Sequence, residues 1–403
     1  MVRAVFIGDD FTGASDTLAT FASAGWRTRL FLRPPAPAEC EGLDAVGIAT
    51  ALRALSPEAA LQVIADLWPA IAALDPQSIH YKVCSTFDSS PTIGSIGAVT
   101  NDLARRFSPE HLAVIGGQPN LGRHCIYGNL FARAADGVTY RIDRHPVMAQ
   151  HPVTPMTESD LRLLLAAQGL DDLALVTRDG TPSLPLRALF DVLDGDDITR
   201  IAREISPLSG RRLLIGASSV AQVLTAATPG SGTPEPAAPP PNRRVLVFAG
   251  SRSSVTRAQV EAADGFSKIR ILPSDLANSW QTIATAAAAL ASDTPVLLHT
   301  DPELDYNMSP DHLALASGEL LAKIVTTSPV GWLGIAGGDT SSRICGLLGF
   351  TAIDYLEAFS PGVGLCRARH DTPDLDGMRL ILKGGQMGSP DYFGWVREGG
   401  GVR

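Results

Sequence analysis

Short apolar runs recur along this chain, and most of them end in a turn rich in glycine, serine or aspartate before a helical stretch begins. That alternation constrains the fold more than any other feature. Strands that alternate with helices build a mainly parallel sheet covered on both faces, and such sheets bind ligands at the carboxyl ends of their strands. Residues 4–8 read as a central strand, followed by a helix at 17–24 that Gly25 ends. Further strands are expected at 27–32, 45–50, 78–84, 112–115, 173–177 and 212–215. Helices are expected at 57–74, 198–205 and 218–227, and 116–127 and 141–157 read as loops.

Residues 228–242 break the pattern. Six prolines and two glycines there cannot form a packed element, so the stretch reads as a semi-rigid linker. The expected division is a domain at 1–227, a linker at 228–243 and a second domain at 244–403. The second domain repeats the alternation. Its strands are expected at 245–249, 269–272, 296–299, 332–336 and 380–382, and its helices at 255–263 and 342–348. The fold class is therefore α/β: two domains, each a mainly parallel sheet flanked by helices, with an active-site cleft between them.

Composition narrows the partners. A chain of 403 residues that is 45% hydrophobic has ample material for two cores. The net charge of −9 and the absence of a basic block argue against nucleic acid. An acidic protein that binds anions must do so at a locally basic site. The five cysteines are scattered, without a Cys-x-x-Cys pair, which reads as reduced thiols in a cytoplasmic protein. The first residues meet charge too early for a signal peptide. No apolar run approaches the roughly 18 residues of a membrane span.

The strand ends carry the chemistry. In the second half they hold three Gly or Ser clusters: 250–254, 337–341 and 383–388. Together they look like walls of a nucleotide pocket, with backbone N–H groups and the hydroxyls of Ser251, Ser253 and Thr340 facing phosphate oxygens. Gly337, Gly338, Gly384 and Gly385 admit close backbone approach, and Lys383 offsets charge. Asp339 is a candidate to hold magnesium or to accept a proton. The plainer reading is a tight turn with Thr340 or Ser341 capping a helix. Gly250 and Asp275 also permit a dinucleotide-binding reading, but the turn has one glycine where that fingerprint has three.

In the first half, Asp9 and Asp10 end the first strand. Neighbours on a strand point to opposite faces, so one is expected to meet a polyol and the other to cap the next helix. Lys82, Ser85, Thr86 and Asp88 form a second polar cluster, and Arg123 and His124 a third. Arg53, Lys82 and Arg123 together could supply the positive charge that a carboxylate substrate needs. His145 and His151 sit in a proline-rich loop without partner ligands and read as loop histidines.

These motifs resemble the four-carbon acid sugar kinase family. The resemblance is carried by Ile7-Gly-Asp-Asp-Phe-Thr-Gly-Ala-Ser-Asp16, Arg53-Ala-Leu-Ser-Pro57, Gly122-Arg123, Gly250-Ser-Arg-Ser-Ser-Val-Thr256, Gly337-Gly-Asp-Thr-Ser341, Pro361-Gly-Val-Gly364 and Lys383-Gly-Gly-Gln-Met-Gly388. It runs nearly end to end. It implies an N-terminal domain for the sugar acid, a C-terminal domain for ATP and Mg2+, and phosphorylation of a terminal hydroxyl of threonate, erythronate or 3-oxo-tetronate. Asp10, Arg53 and the strand end at 82–86 would serve the substrate. Ser251, residues 337–340, Gly384 and Gly385 would serve the nucleotide, and Asp10 or Asp339 would orient or deprotonate the acceptor. Kinases of this kind often form homodimers.

The chain departs from the family at one place. Asp-Ser-Thr-Leu-Arg-Gly is replaced by Cys84-Ser-Thr-Phe-Asp-Ser89, which exchanges an acid for a thiol and an arginine for an acid. Such a site must grip its acid differently or take another one, for example the branched 3-oxo-isoapionate. A nicotinamide-dependent dehydrogenase and a non-catalytic sugar-acid sensor also fit parts of the pattern. Neither accounts as well for three glycine turns joined to the acidic N-terminal run.

Overall fold

A computed structural model describes residues 2–399 except 181–182, 229, 231, 233–238, 361–362 and 386; the side chains at 310, 311, 338–340 and 342 are also outside the described set. The chain forms two compact units that divide between residues 233 and 234.

The first unit contains strands β1 (Ala4–Gly8), β2 (Thr28–Phe31), β3 (Ala45–Ala49), β4 (Ser78–Lys82), β5 (His111–Gln118), β6 (Arg123–Ile126), β7 (Asn129–Arg133), β8 (Thr139–Arg141), β9 (Ala174–Val176), β10 (Arg187–Asp191) and β11 (Arg212–Gly216). Its helices are α1 (Phe11–Ser23), α2 (Pro57–Ala73), α3 (Ile96–Phe107), α4 (Leu161–Ala166), α5 (Gly195–Ile205) and α6 (Ser219–Ala227). The parallel sheet runs β2-β3-β1-β4-β11-β5-β10-β9. Every residue of β1, β4 and β11 is buried, as expected of strands covered on both faces. The chain leaves β1 toward β3 on one side and resumes at β4 on the other. That reversal opens a crevice at the carboxyl end of β1.

The loop expected at 116–127 is instead structured. β5 continues through Gln118, and β6, β7 and β8 follow it as an antiparallel meander. Its strands are three to five residues long, and the turn at Tyr127 and Gly128 takes φ of 52° and 80°. Segments this short give too few alternations to show a period. Part of the stretch read as a linker lies outside the described residues. Its described start returns to the first unit: the amides of Gly230 and Gly232 donate to the carbonyls of Ala24 and Gly25, and Trp26 Nε1 donates to the Thr228 carbonyl at 2.8 Å.

The second unit contains β12 (Val245–Ala249), β13 (Ser267–Arg270), β14 (Val296–His299), β15 (Trp332–Ala336), β16 (Ala352–Ser360), β17 (Val363–Arg369) and β18 (Arg379–Lys383). Its helices are α7 (Ser254–Ala262), α8 (Pro273–Ala277), α9 (Trp280–Ala291), α10 (Pro310–Thr327), α11 (Gly338–Leu347) and α12 (Tyr392–Glu398). The parallel order is β13-β14-β12-β15-β18, with β17 and β16 added antiparallel at one edge. Here the reversal falls at β12, so Gly250 and Ser251 occupy the place that Asp9 and Asp10 hold in the first unit.

Candidate active site

In the first unit the site grows from the end of β1. The Asp9 amide donates to the Lys82 carbonyl at 2.9 Å, and the Arg53 amide donates to the Asp9 carbonyl at 3.1 Å. These bonds bring the guanidinium over the two acids. Arg53 Nε and Nη2 donate to Asp9 Oδ2 and Oδ1 at 3.0 and 2.8 Å, and Nη1 lies 2.8 Å from Asp10 Oδ2. Asp10 Oδ1 accepts the Gly13 amide at 2.7 Å and caps α1. The expectation that the two acids part to opposite faces is therefore corrected. The strand stops at Gly8, its alternation ends there, and both carboxylates meet one guanidinium. The capping half of the expectation holds at Asp10.

Asp9 is 4% exposed. Burial raises its pKa above the ordinary value, with Arg53 acting in the opposite sense. Burial pulls Arg53 down, but the charges of Asp9 and Asp10 outweigh it and hold the guanidinium well above its usual value. Lys82 is buried, and its ammonium donates to the Val83 carbonyl at 2.8 Å. A Cβ on Gly13 would stand 2.5 Å from Lys82 Nζ and 2.6 Å from Asp10 Oδ1, so glycine is what lets these groups meet there.

Past β4, Cys84 Sγ lies 2.9 Å from Thr86 Oγ1, which donates to Asp88 Oδ1 at 2.5 Å. Thr86, Phe87 and Asp88 are buried, Ser85 is half-buried, and Phe87 takes a left-handed φ of 53°. Burial, then the Asp88 charge, pushes the Cys84 thiol up to about 11. Such a thiol is no nucleophile at neutral pH. Arg123 donates to the Leu121 carbonyl, and its buried Nε has no partner among the described residues. Arg53 and Arg123 both act electrostatically on Cys84, and Lys82 acts on Asp9. The three cations thus lie at the carboxyl ends of β3, β4 and β5.

Sequence reasoning passed over a neighbouring group. Asp16 Oδ2 accepts hydrogen bonds from Ser218 Oγ at 2.5 Å and Gln118 Nε2 at 3.3 Å. The one available signal was the acid that closes the 9–16 run. His145 and His151 each use Nδ1 to accept backbone amides of their own turns, from Val147, Met148 and Thr154.

In the second unit the strand ends are tied together. The amides of Gly250 and Ser251 donate to the Ala336 carbonyl at 3.1 and 3.0 Å, and the Gly337 amide donates to the Lys383 carbonyl at 2.9 Å. Gly337 has φ 135°, and α11 starts directly after it. The side chains of Asp339 and Thr340, expected to meet magnesium and phosphate, lie outside the described residues. Ser253 caps α7 and also donates to the Gly385 carbonyl at 2.5 Å, joined there by Thr256 Oγ1 at 2.9 Å. Gln259 Nε2 donates to the carbonyls of Met387 and Ser389 at 2.9 and 3.0 Å. The carbonyls of the loop after β18 are thus held inward. Among the described residues, the amides of Gly384 and Gly385 donate to no backbone carbonyl, and this is the arrangement an anion-binding turn needs. Beside Ser251, a cavity of about 160 Å³ lies between α7 and the ends of β12 and β14.

Lys383 turns beneath this loop. It is 2% exposed, donates to the carbonyls of Gly384 and Met387, and lies over the rings of Tyr392 and Phe393. Burial lowers its pKa from the ordinary 10.5 to about 8. Between those values the unfolded chain binds a proton that the folded chain has released, so the fold gains stability as pH rises. The unfolding free energy of the wild type from urea melts, measured relative to Lys383→Met, should climb from pH 8 to 10.5, by about 3 kcal/mol in total.

Residues 4–224 match the family described as the sugar-binding N-terminal domain, and residues 246–393 match the nucleotide-binding C-terminal domain. The chain is 34% identical to a 3-oxo-isoapionate kinase of Paraburkholderia graminis, over 98% of this chain and 94% of that protein. It is 30% identical to a 3-oxo-tetronate kinase of Methylobacterium radiotolerans, over 96% and 97%. Solved structures from Salmonella typhimurium LT2 (TM-score 0.78, 23% identity, covering 99% of this chain and 98% of that one) and Haemophilus influenzae (0.75, 21%, 98% and 99%) share the fold.

Proposed function

Because the chain belongs to the four-carbon acid sugar kinase family and is an ATP-dependent sugar-acid kinase, we propose that it phosphorylates a terminal hydroxyl of a small sugar acid of the 3-oxo-tetronate, threonate or erythronate type. The observation that carries this reading is the gathering of Arg53, Lys82 and Arg123 at the carboxyl edge of the first sheet. A carboxylate finds its charge partners there. Asp9 and Asp10 hold Arg53 in place, and Ser85 and Thr86 offer hydroxyls at the next strand end.

ATP belongs to the second unit. Its phosphates would lie against the open amides of Gly384 and Gly385, the turn at 337–340, and the hydroxyls of Ser251 and Ser253. Lys383 supports that loop from below. Mg2+ bound with the nucleotide would spread the phosphate charge. Asp339 at the start of α11 fits it by donor type. Asp10 or Asp339 orients or deprotonates the acceptor hydroxyl. Phosphoryl transfer asks mainly for positioning and charge neutralisation, and both strand edges offer them. ATP as co-substrate supports a cytoplasmic location. No helix among the described residues is long and apolar enough to cross a membrane. A homodimer is the expected assembly, which sedimentation would check.

One observation favours a second acceptor, a branched oxo-acid such as 3-oxo-isoapionate. The turn at 84–89 carries buried Asp88 where the family has arginine, and the 34% relative is named for that acid. The test is ADP release with Mg-ATP against four- and five-carbon sugar acids, oxo-acids included. Turnover of 3-oxo-tetronate, threonate or erythronate supports the first acceptor, and turnover of the branched acid alone supports the second. No ADP with any acid removes both.

A further inference from the structure

The acidic run that opens α1 contains three carboxylates, and they differ in what remains free. Both Asp9 oxygens are taken by Arg53. Asp10 divides its oxygens between Arg53 and the Gly13 amide. Asp16 gives one oxygen, Oδ2, to Ser218 and Gln118. Its Oδ1 accepts no hydrogen bond among the described residues, and the residue is half-buried.

The groups that hold Asp16 are themselves fixed. Ser218 is fully buried at the start of α6 and lies 3.0 Å from Thr17 Oγ1. Gln118 is 1% exposed at the end of β5. Two elements, β5 and α6, thus converge on one carboxylate oxygen and leave the other open. Oδ2 is thereby fixed in direction, and Oδ1 stays open to a donor from outside the chain. The strands that deliver these groups, β11 and β5, follow β4 in the sheet, so Asp16 continues the same edge beyond Lys82.

We propose that Asp16 contacts the sugar acid directly, its Oδ1 accepting a hydrogen bond from a substrate hydroxyl, with Ser218 and Gln118 as the positioning residues. This rests on the sugar-acid kinase reading. The pairing is a charge-assisted hydrogen bond, the strong kind. A carboxylate repels a carboxylate, so the group that meets Asp16 is a hydroxyl of the sugar acid and not its acid group.

Steady-state kinetics of Asp16→Asn test this, with the panel acid that the wild type turns over fastest as the probe. The asparagine keeps the size and an acceptor for Ser218 but removes the charge. The KM for the sugar acid should rise about 10- to 100-fold, while the KM for ATP stays within about two-fold. An unchanged sugar-acid KM in a folded variant overturns the proposal. If Asp16→Asn does not fold, Gln118→Leu removes one positioning bond at similar volume and should raise that KM about three- to ten-fold. No rise there overturns the proposal equally. A wild type that turns over no acid overturns the functional reading instead, and the inference falls with it.

Discussion

Asp10→Asn should cut turnover by about 10²- to 10⁴-fold while leaving ATP affinity nearly intact. The substitution is close to isosteric. The asparagine oxygen can still accept the Gly13 amide that Asp10 accepts at 2.7 Å, so α1 keeps its cap. The change falls on the other oxygen, which faces Arg53 Nη1 at 2.8 Å. An amide NH2 placed there would set donor against donor and remove the negative charge. Arg53 would lose one of its two anchors at the strand end where the acceptor is proposed to sit. ATP binding is assigned to the second unit, whose residues this substitution leaves unchanged. The check is kcat from ADP release, set beside ATP affinity from calorimetry. Turnover near that of the wild type would remove Asp10 from the mechanism and leave Asp339 as the candidate base.

The second large effect is on stability. Arg53→Ala should destabilise the first unit by about 3–5 kcal/mol at neutral pH, because it leaves a buried carboxylate without its partner. The Asp9 side chain is 5% exposed and that of Arg53 27%, so solvent cannot replace the lost bonds at Asp9. The loss should depend on pH in a defined direction. Burial already raises Asp9, and removing the guanidinium raises it further. An acid whose folded pKa is raised stabilises the fold at low pH, and that contribution is lost as pH rises through the folded value. The gap between variant and wild type should therefore narrow on acidification. Urea unfolding from neutral pH down toward pH 4 measures it. A gap that is constant across that range would mean the loss comes from packing and not from the unpaired charge.

Much of this architecture was readable from the residues alone. The strands Ala4–Gly8, Val245–Ala249, Val296–His299 and Trp332–Ala336 are short, mainly apolar runs bounded by glycine, proline or polar residues, and their ends fall at those boundaries. The meander β6–β8 was not readable, because its strands are short and its turns depend on positive φ. Sequence reading also placed Arg53, Lys82 and the Asp9–Asp10 pair together at strand ends. It missed how they are joined: Asp9 and Asp10 separate only if the strand continues past Gly8, and it does not. Asp16 stayed hidden for a different reason. Its partner Ser218 is 202 residues away, and nothing in the run around either residue announces the other. Lys383 was legible as the head of the glycine loop after the last strand. The direction of its side chain was not, because the rings of Tyr392 and Phe393 that receive it come from the next helix.

The turn at 84–89 closes its hydroxyl, thiol and acid on one another. Among the described residues it shares no hydrogen bond with the lattice of Asp9, Arg53 and Asp10. A substitution in the turn therefore breaks no hydrogen bond of that lattice, and the two are linked through the charges of Arg53 and Asp9 on Cys84. A lineage that changes its acid can rewrite the turn residue by residue while the hydrogen bonds of Asp9, Arg53 and Asp10 stay in place. Drift at this turn, against constancy at the end of β1, is the trace such a history would leave among descendants.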